Sequence, residues 1–110
     1  MQDTAPSRKT GTPGSVIHAT MRPEDLIPAF MAVLERLDPA TAHNIKLNNP
    51  DLVEALCHLT EGKRTDWWDS EEATIILNEN IWDALNACAP EGHYFGSHPG
   101  DGSDYGFWKF

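Results

Sequence analysis

The sequence predicts an α+β fold, with three to four helices packed against a C-terminal β-hairpin in a single small domain. Two observations carry that expectation. Between residues 23 and 89, apolar side chains recur at three- and four-residue spacing, in segments that open on Pro, Asn, Asp or Ser and close on Pro or Gly. From Glu91 onward the period changes. The run EGHYFGSHPGDGSDYGFWKF interleaves aromatic residues with glycines around a Pro-Gly-Asp-Gly turn, as two short strands joined tightly would.

Taken in order, residues 1–20 are expected to be a flexible tail, disordered through about residue 15. Pro6, Gly11, Pro13 and Gly14 interrupt them, and only Val16-Ile17 has any β character. Residues 21–110 are expected to form the domain. The first helix spans about Pro23 to Leu37, with Glu24 and Asp25 at its positive end and Leu26, Phe30, Val33, Leu34 and Leu37 on one face. A short helix follows over about Pro39 to Asn48, opened by Asp38-Pro39 and ended by Asn48-Asn49-Pro50. A stronger one covers about Asp51 to Glu61, with Asn49 as its expected cap and Gly62 as its stop. After the loop KRTDWWD, a last helix begins at Asp69 or Ser70 and ends before Pro90. Asn78 and Asn80 permit a break in it, and a short strand at Thr74–Leu77 is the alternative.

In the hairpin, Asp101-Gly102 is the favoured two-residue loop, since Asp-Gly suits a primed turn. Phe95 then faces Trp108 and Gly96 faces Phe107. His93, Phe95, Trp108 and Phe110 share one face, and Tyr94, His98, Tyr105 and Phe107 share the other. A four-residue loop from Pro99 to Gly102 would change that pairing. One face must lie on the helices, because a lone hairpin is marginal in water.

Composition narrows the function. Acidic residues outnumber basic ones 17 to 8, a formal charge of −9, which disfavours binding to nucleic acid or to anionic membranes. No stretch approaches the length of an apolar membrane span, and a soluble, cytoplasmic protein is expected. Cys57 and Cys88 lie in apolar helical patterns outside any C-x-x-C motif and are expected to be buried thiols.

Several side-chain sets have the right chemistry but the wrong pattern. His98, Asp101 and Asp104, with His93, are metal-ligand types, yet they lack the alternating oxygen ligands and distal Glu of a calcium loop. Turn geometry accounts for their Gly and Asp residues, so no metal or cofactor is expected. Cys57 and His58 are adjacent on a helix and diverge by about 100°. Asp66, Asp69, Glu71 and Glu72 are the acids of a helix start rather than a catalytic pair. No enzyme is expected. What remains is an aromatic surplus, and Trp67, Trp68, Tyr94, His98, Tyr105 and Phe107 are the candidate interaction surface.

The run from Ala89 to Trp108, APEGHYFGSHPGDGSDYGFW, resembles the C-terminal ending of small uncharacterised bacterial proteins, some carried by phages or other mobile elements. The resemblance covers about a fifth of the chain. It implies a bacterial accessory protein and supplies no catalytic residues. The leading expectation is therefore a non-catalytic module that binds a protein partner or a second copy of itself. The alternatives are an acidic inhibitor or nucleic-acid mimic from a mobile element, and a small ligand- or metal-binding protein.

Overall fold

Proline opens each of the first three helices, where its fixed φ suits the helix and its missing N–H costs nothing. In the computed structural model, which describes residues 9–110, these helices are α1 (Pro23–Leu37), α2 (Pro39–Asn48) and α3 (Pro50–Thr60). A 3₁₀ turn (Asp66–Asp69) leads into a continuous helical stretch. Its parts are α4 (Glu71–Ile75), a π-helical segment (Ile76–Ile81) and α5 (Trp82–Ala87). Three antiparallel strands complete the domain: β1 (Gly14–Ile17), β2 (His93–His98) and β3 (Asp101–Lys109), in the order β1-β3-β2. The class is α+β, with the helices on one side of a small C-terminal sheet.

The caps explain most of the helix boundaries. Asp38 accepts from the Thr41 N–H at 3.3 Å and from the Thr41 hydroxyl at 2.7 Å, so one carboxylate starts α2 while its own N–H closes α1 onto the Leu34 carbonyl. Ser70 caps α4 by accepting from the Ala73 N–H at 3.1 Å. Asn49 does not cap α3. Its amide turns back and donates to the Ile45 carbonyl at 2.8 Å, closing α2 instead. The stretch after Ser70 is helical throughout, so the alternative strand at Thr74–Leu77 does not form. Where Asn78 and Asn80 permitted a break, the helix instead continues as the π segment, which buries Ile76, Leu77 and Ile81 and leaves both asparagines exposed.

The boundary drawn at residue 20 does not coincide with the edge of the fold. Residues 1–8 lie outside the described residues, but Gly14–Ile17 pair with β3, with Ser15 opposite Gly106 and a bulge before Ile17. The close approach depends on glycine. A Cβ on Gly106 would collide with the Gly14 carbonyl oxygen, and one on Gly11 would lie 2.5 Å from the Phe107 ring. Ahead of β1, the Gly11 N–H donates to the Cys88 carbonyl at 2.8 Å, tying the strap to the end of α5.

The core forms where α1 crosses the sheet. Phe30 is fully buried, with ring centroids 5.0 Å from Phe95, 5.7 Å from Tyr105 and 6.3 Å from Trp82, all edge-on. Leu26, Ile27, Met31 and Leu34 continue the same face of α1, and Leu52, Trp68, Ile76, Ile81 and Leu85 close over it from the other helices. Cys88 belongs to this core. Cys57 does not, because it lies on the exposed side of α3, and no disulfide joins the two. Among the described residues, no helix is long and apolar enough to cross a membrane.

Candidate functional site

The turn of the hairpin decides which aromatic rings reach solvent. A primed turn at Asp101-Gly102 requires positive φ at both residues, and neither has it. The loop is instead Pro99-Gly100, with His98 opposite Asp101. Proline suits the turn because it has no N–H to leave unpaired. The Gly100 N–H donates to His98 Nδ1 at 2.9 Å. The Asp-Gly pair starts a bulge, where the register jumps from Ser97 opposite Tyr105 to His98 opposite Asp101. Asp101 holds that bulge by accepting from the Ser103 N–H at 3.0 Å and its hydroxyl at 2.9 Å, and these bonds keep its carboxyl below the usual pKa range.

The consequence is a one-residue slip relative to the expected pairing. Phe95 faces Phe107, Gly96 faces Gly106 and Tyr94 faces Trp108. The faces of β2 are as expected, with Phe95 inward and Tyr94 and His98 outward. Those of β3 are inverted. Tyr105 and Phe107 are buried against the helices, and Trp108 points away from them. Two contacts fix the choice: Phe95 and Phe107 stack edge-on at 5.4 Å on the core side, and Gly106 admits the Gly14 backbone of β1.

The outer face carries four rings in two contacting pairs. Tyr94 and Phe110 have centroids 5.5 Å apart, and His98 and Trp108 are perpendicular at 4.6 Å. Between them Gly96 is buried, and a side chain there would meet the Tyr94 ring at 3.2 Å and Trp82 at 3.5 Å. The Trp108 Nε1–H donates to the Gly96 carbonyl at 2.8 Å, and the Tyr94 hydroxyl donates to the Ser97 carbonyl at 3.1 Å. The polar tips of both rings are thus engaged, which leaves their apolar parts outermost. Tyr94, His98 and Trp108 are half-buried, and Phe110 is 86% exposed. Asp101 is exposed beside this stripe, while Asp104 accepts from the Ser15 hydroxyl at 2.5 Å.

The six residues expected to form one surface are therefore dispersed. Tyr94 and His98 lie on the outer face. Tyr105 and Phe107 are core residues, because the slip turned β3 over. Trp68 is also core, at 1% exposure; Trp67 stacks on it edge-on at 5.1 Å and donates from its indole to Glu72 at 3.2 Å. Adjacent residues of a 3₁₀ turn diverge, so only one of the pair could enter the core. Trp108 and Phe110 are the outer-face residues that sequence reasoning assigned to the inside. The signal for them was the glycine pair at 96 and 106, which sit opposite each other only in the observed register.

The histidines and acids of the turn serve local geometry. His98 accepts from the Gly100 N–H, His93 Nδ1 lies 3.0 Å from the Glu91 carbonyl oxygen, and the two aspartates are held by serines. Among the described residues, no three His, Cys, Asp or Glu side chains are grouped as a metal ion would need. The free edge of β2 is partly closed as well, since Asn86 accepts from the Phe95 N–H at 3.0 Å. No family model matches the chain, and no curated protein or solved structure matches it significantly.

Proposed function

We propose that this domain is a non-catalytic interaction module that docks a protein partner on the outer face of its hairpin, through Tyr94, His98, Trp108 and Phe110. One observation carries the proposal. The inner face already has Phe95, Tyr105 and Phe107 to fill the core, yet the solvent face holds a second set of rings in contact with one another. Aromatic side chains fixed by hydrogen bonds lose little freedom on binding, which favours them as contact anchors. The net charge of −9 opposes pairing with a second copy and favours a partner with a basic rim. The resemblance of the C-terminal run to bacterial accessory proteins directs the search for that partner to the bacterial cytoplasm.

The test compares capture by the wild-type protein with capture by a Tyr94→Ser, Phe110→Ser variant, alongside sedimentation of each at micromolar concentration. A protein retained by the first and lost by the second, with folding unchanged, supports the proposal. Equal capture by both would overturn it.

A further inference from the structure

Two side chains at the tip of the hairpin cap the backbone two residues further on. His98 Nδ1 accepts from the Gly100 N–H at 2.9 Å, and Asp101 Oδ1 accepts from the Ser103 N–H at 3.0 Å. That reach is the one of an Asx-turn, and at residue 98 an imidazole takes the place usually filled by Asn or Asp. The imidazole brings a condition with it. A backbone amide only donates, so Nδ1 is bare and the ring proton sits on Nε2. The bond to Gly100 therefore exists only while His98 is neutral.

The same imidazole is part of the outer face. It stands perpendicular to the Trp108 ring, with centroids 4.6 Å apart, and the Trp108 indole is tied in turn to the Gly96 carbonyl. The turn backbone, the imidazole and the indole thus form one connected series. Of the charged groups on β3, Asp101 lies opposite His98, Asp104 is engaged by the Ser15 hydroxyl, and Lys109 lies beside His93 at the far end. From α5, which meets β2 through Trp82 and Phe95, the charged residue is Asp83, and it is exposed. After the two Ser103 bonds, the charges of His98 and His18 are what hold the Asp101 carboxyl low. Both serine bonds fall on Oδ1, which leaves Oδ2 to receive an imidazolium N–H.

We propose that His98 is a protonation switch for the outer face. Neutral, it holds the Pro99-Gly100 turn and seats Trp108. Protonated on Nδ1, it releases the Gly100 N–H, swings toward Asp101 and leaves the Trp108 ring. Imidazole side chains change charge between about pH 5 and 8, so the aromatic face is assembled at neutral pH and rearranged in mild acid. Weaker docking in acid rests on the docking reading above. The rearrangement itself belongs to the free protein and is tested there, so failure to capture a partner does not bear on it.

Nitrogen-labelled protein titrated between about pH 8 and 5 and followed by NMR is the test. At the alkaline end the His98 ring should show the Nε2–H tautomer. As pH falls, the Gly100 amide proton should move upfield and the Trp108 indole proton should shift with the same midpoint. Contacts between the His98 and Trp108 rings should be lost. His98→Asn keeps an acceptor for the Gly100 N–H without a titrating group, so neither proton should titrate over this range. His18→Gln should leave the wild-type titration in place. The proposal is overturned by an Nδ1–H tautomer at the alkaline end, by a Gly100 amide that ignores the His98 titration, by ring contacts that persist in acid, or by a Trp108 titration that survives in His98→Asn.

Discussion

The indole of Trp108 donates to the carbonyl of Gly96 at 2.8 Å, reaching diagonally across the hairpin on its solvent side. That bond anchors a large ring outside the core. Trp108→Ala should therefore cost about 1–2 kcal/mol, the scale of one hydrogen bond and a partly buried surface. Phe107→Ala, one residue earlier, should cost about 3–5 kcal/mol. Denaturant titration of the two variants checks the order. A larger loss for Trp108 would mean that β3 faces the other way.

Gly106→Ala should detach β1. The added methyl would collide with the Gly14 carbonyl oxygen, a backbone atom that cannot swing aside as a side chain would. A loss of about 1–3 kcal/mol is expected. Hydrogen exchange should show faster exchange at Gly14–Ile17, while α1 keeps its protection. Unchanged protection of β1 would show that the contact relaxes without loss of pairing.

Phe30→Ala should be among the most damaging single changes. Its ring touches Phe95, Tyr105 and Trp82 at once, so its removal empties the seam between helices and sheet. About 3–5 kcal/mol is expected, against a total of about 5–15 kcal/mol for such a domain. Thermal melting with near-ultraviolet circular dichroism would report the loss and the loosening of the tryptophan environments.

Acid should weaken the contact between α1 and the loop that follows α3. Arg64 pairs with Glu24 at 2.9 Å and with Asp69 at 2.8 Å, and these bonds hold both carboxyls below their usual pKa. Arg22 and Thr20 do the same for Asp25. Carboxyls with a depressed folded pKa contribute stability that is complete above their unfolded values and is lost as pH falls through the folded ones. Arg64→Gln should thus lower the melting temperature at pH 7, and the gap from wild type should begin to narrow below about pH 4 and keep shrinking as pH falls further. A gap that does not narrow at all between pH 5 and pH 2 would mean that Arg64 acts through packing.

Most of the helical layer was legible because its punctuation is local. Pro23, Pro39 and Pro50, with Asp38 and Ser70, place the helix starts within a residue or two. The sheet was less legible because its register depends on a strand far away in sequence. Nothing within the hairpin says that Gly106 must stay bare; that requirement comes from Gly14. Val16 and Ile17 carried the only hint of β1, and the breakers around them masked it. The candidate site inherited this gap. Tyr94 and His98 were placed by alternation within β2, whereas Tyr105, Phe107, Trp108 and Phe110 changed sides together when the loop moved to Pro99-Gly100. Trp67 and Trp68 were ambiguous for another reason: a turn gives two adjacent rings no shared face.

The pairing of β1 with β3 also sets the order of events at the ribosome. Ser15 meets its partner Asp104 across 89 positions of chain. At ordinary translation speeds of about 5–20 residues per second, an emerging β1 waits roughly 5–20 s for the strand it needs. Until β2 and β3 emerge, α1 has neither Phe95 nor Tyr105 to cover Phe30. The nascent chain therefore presents the apolar face of α1 before its cover is made, and closes over it only when β3 has left the exit tunnel.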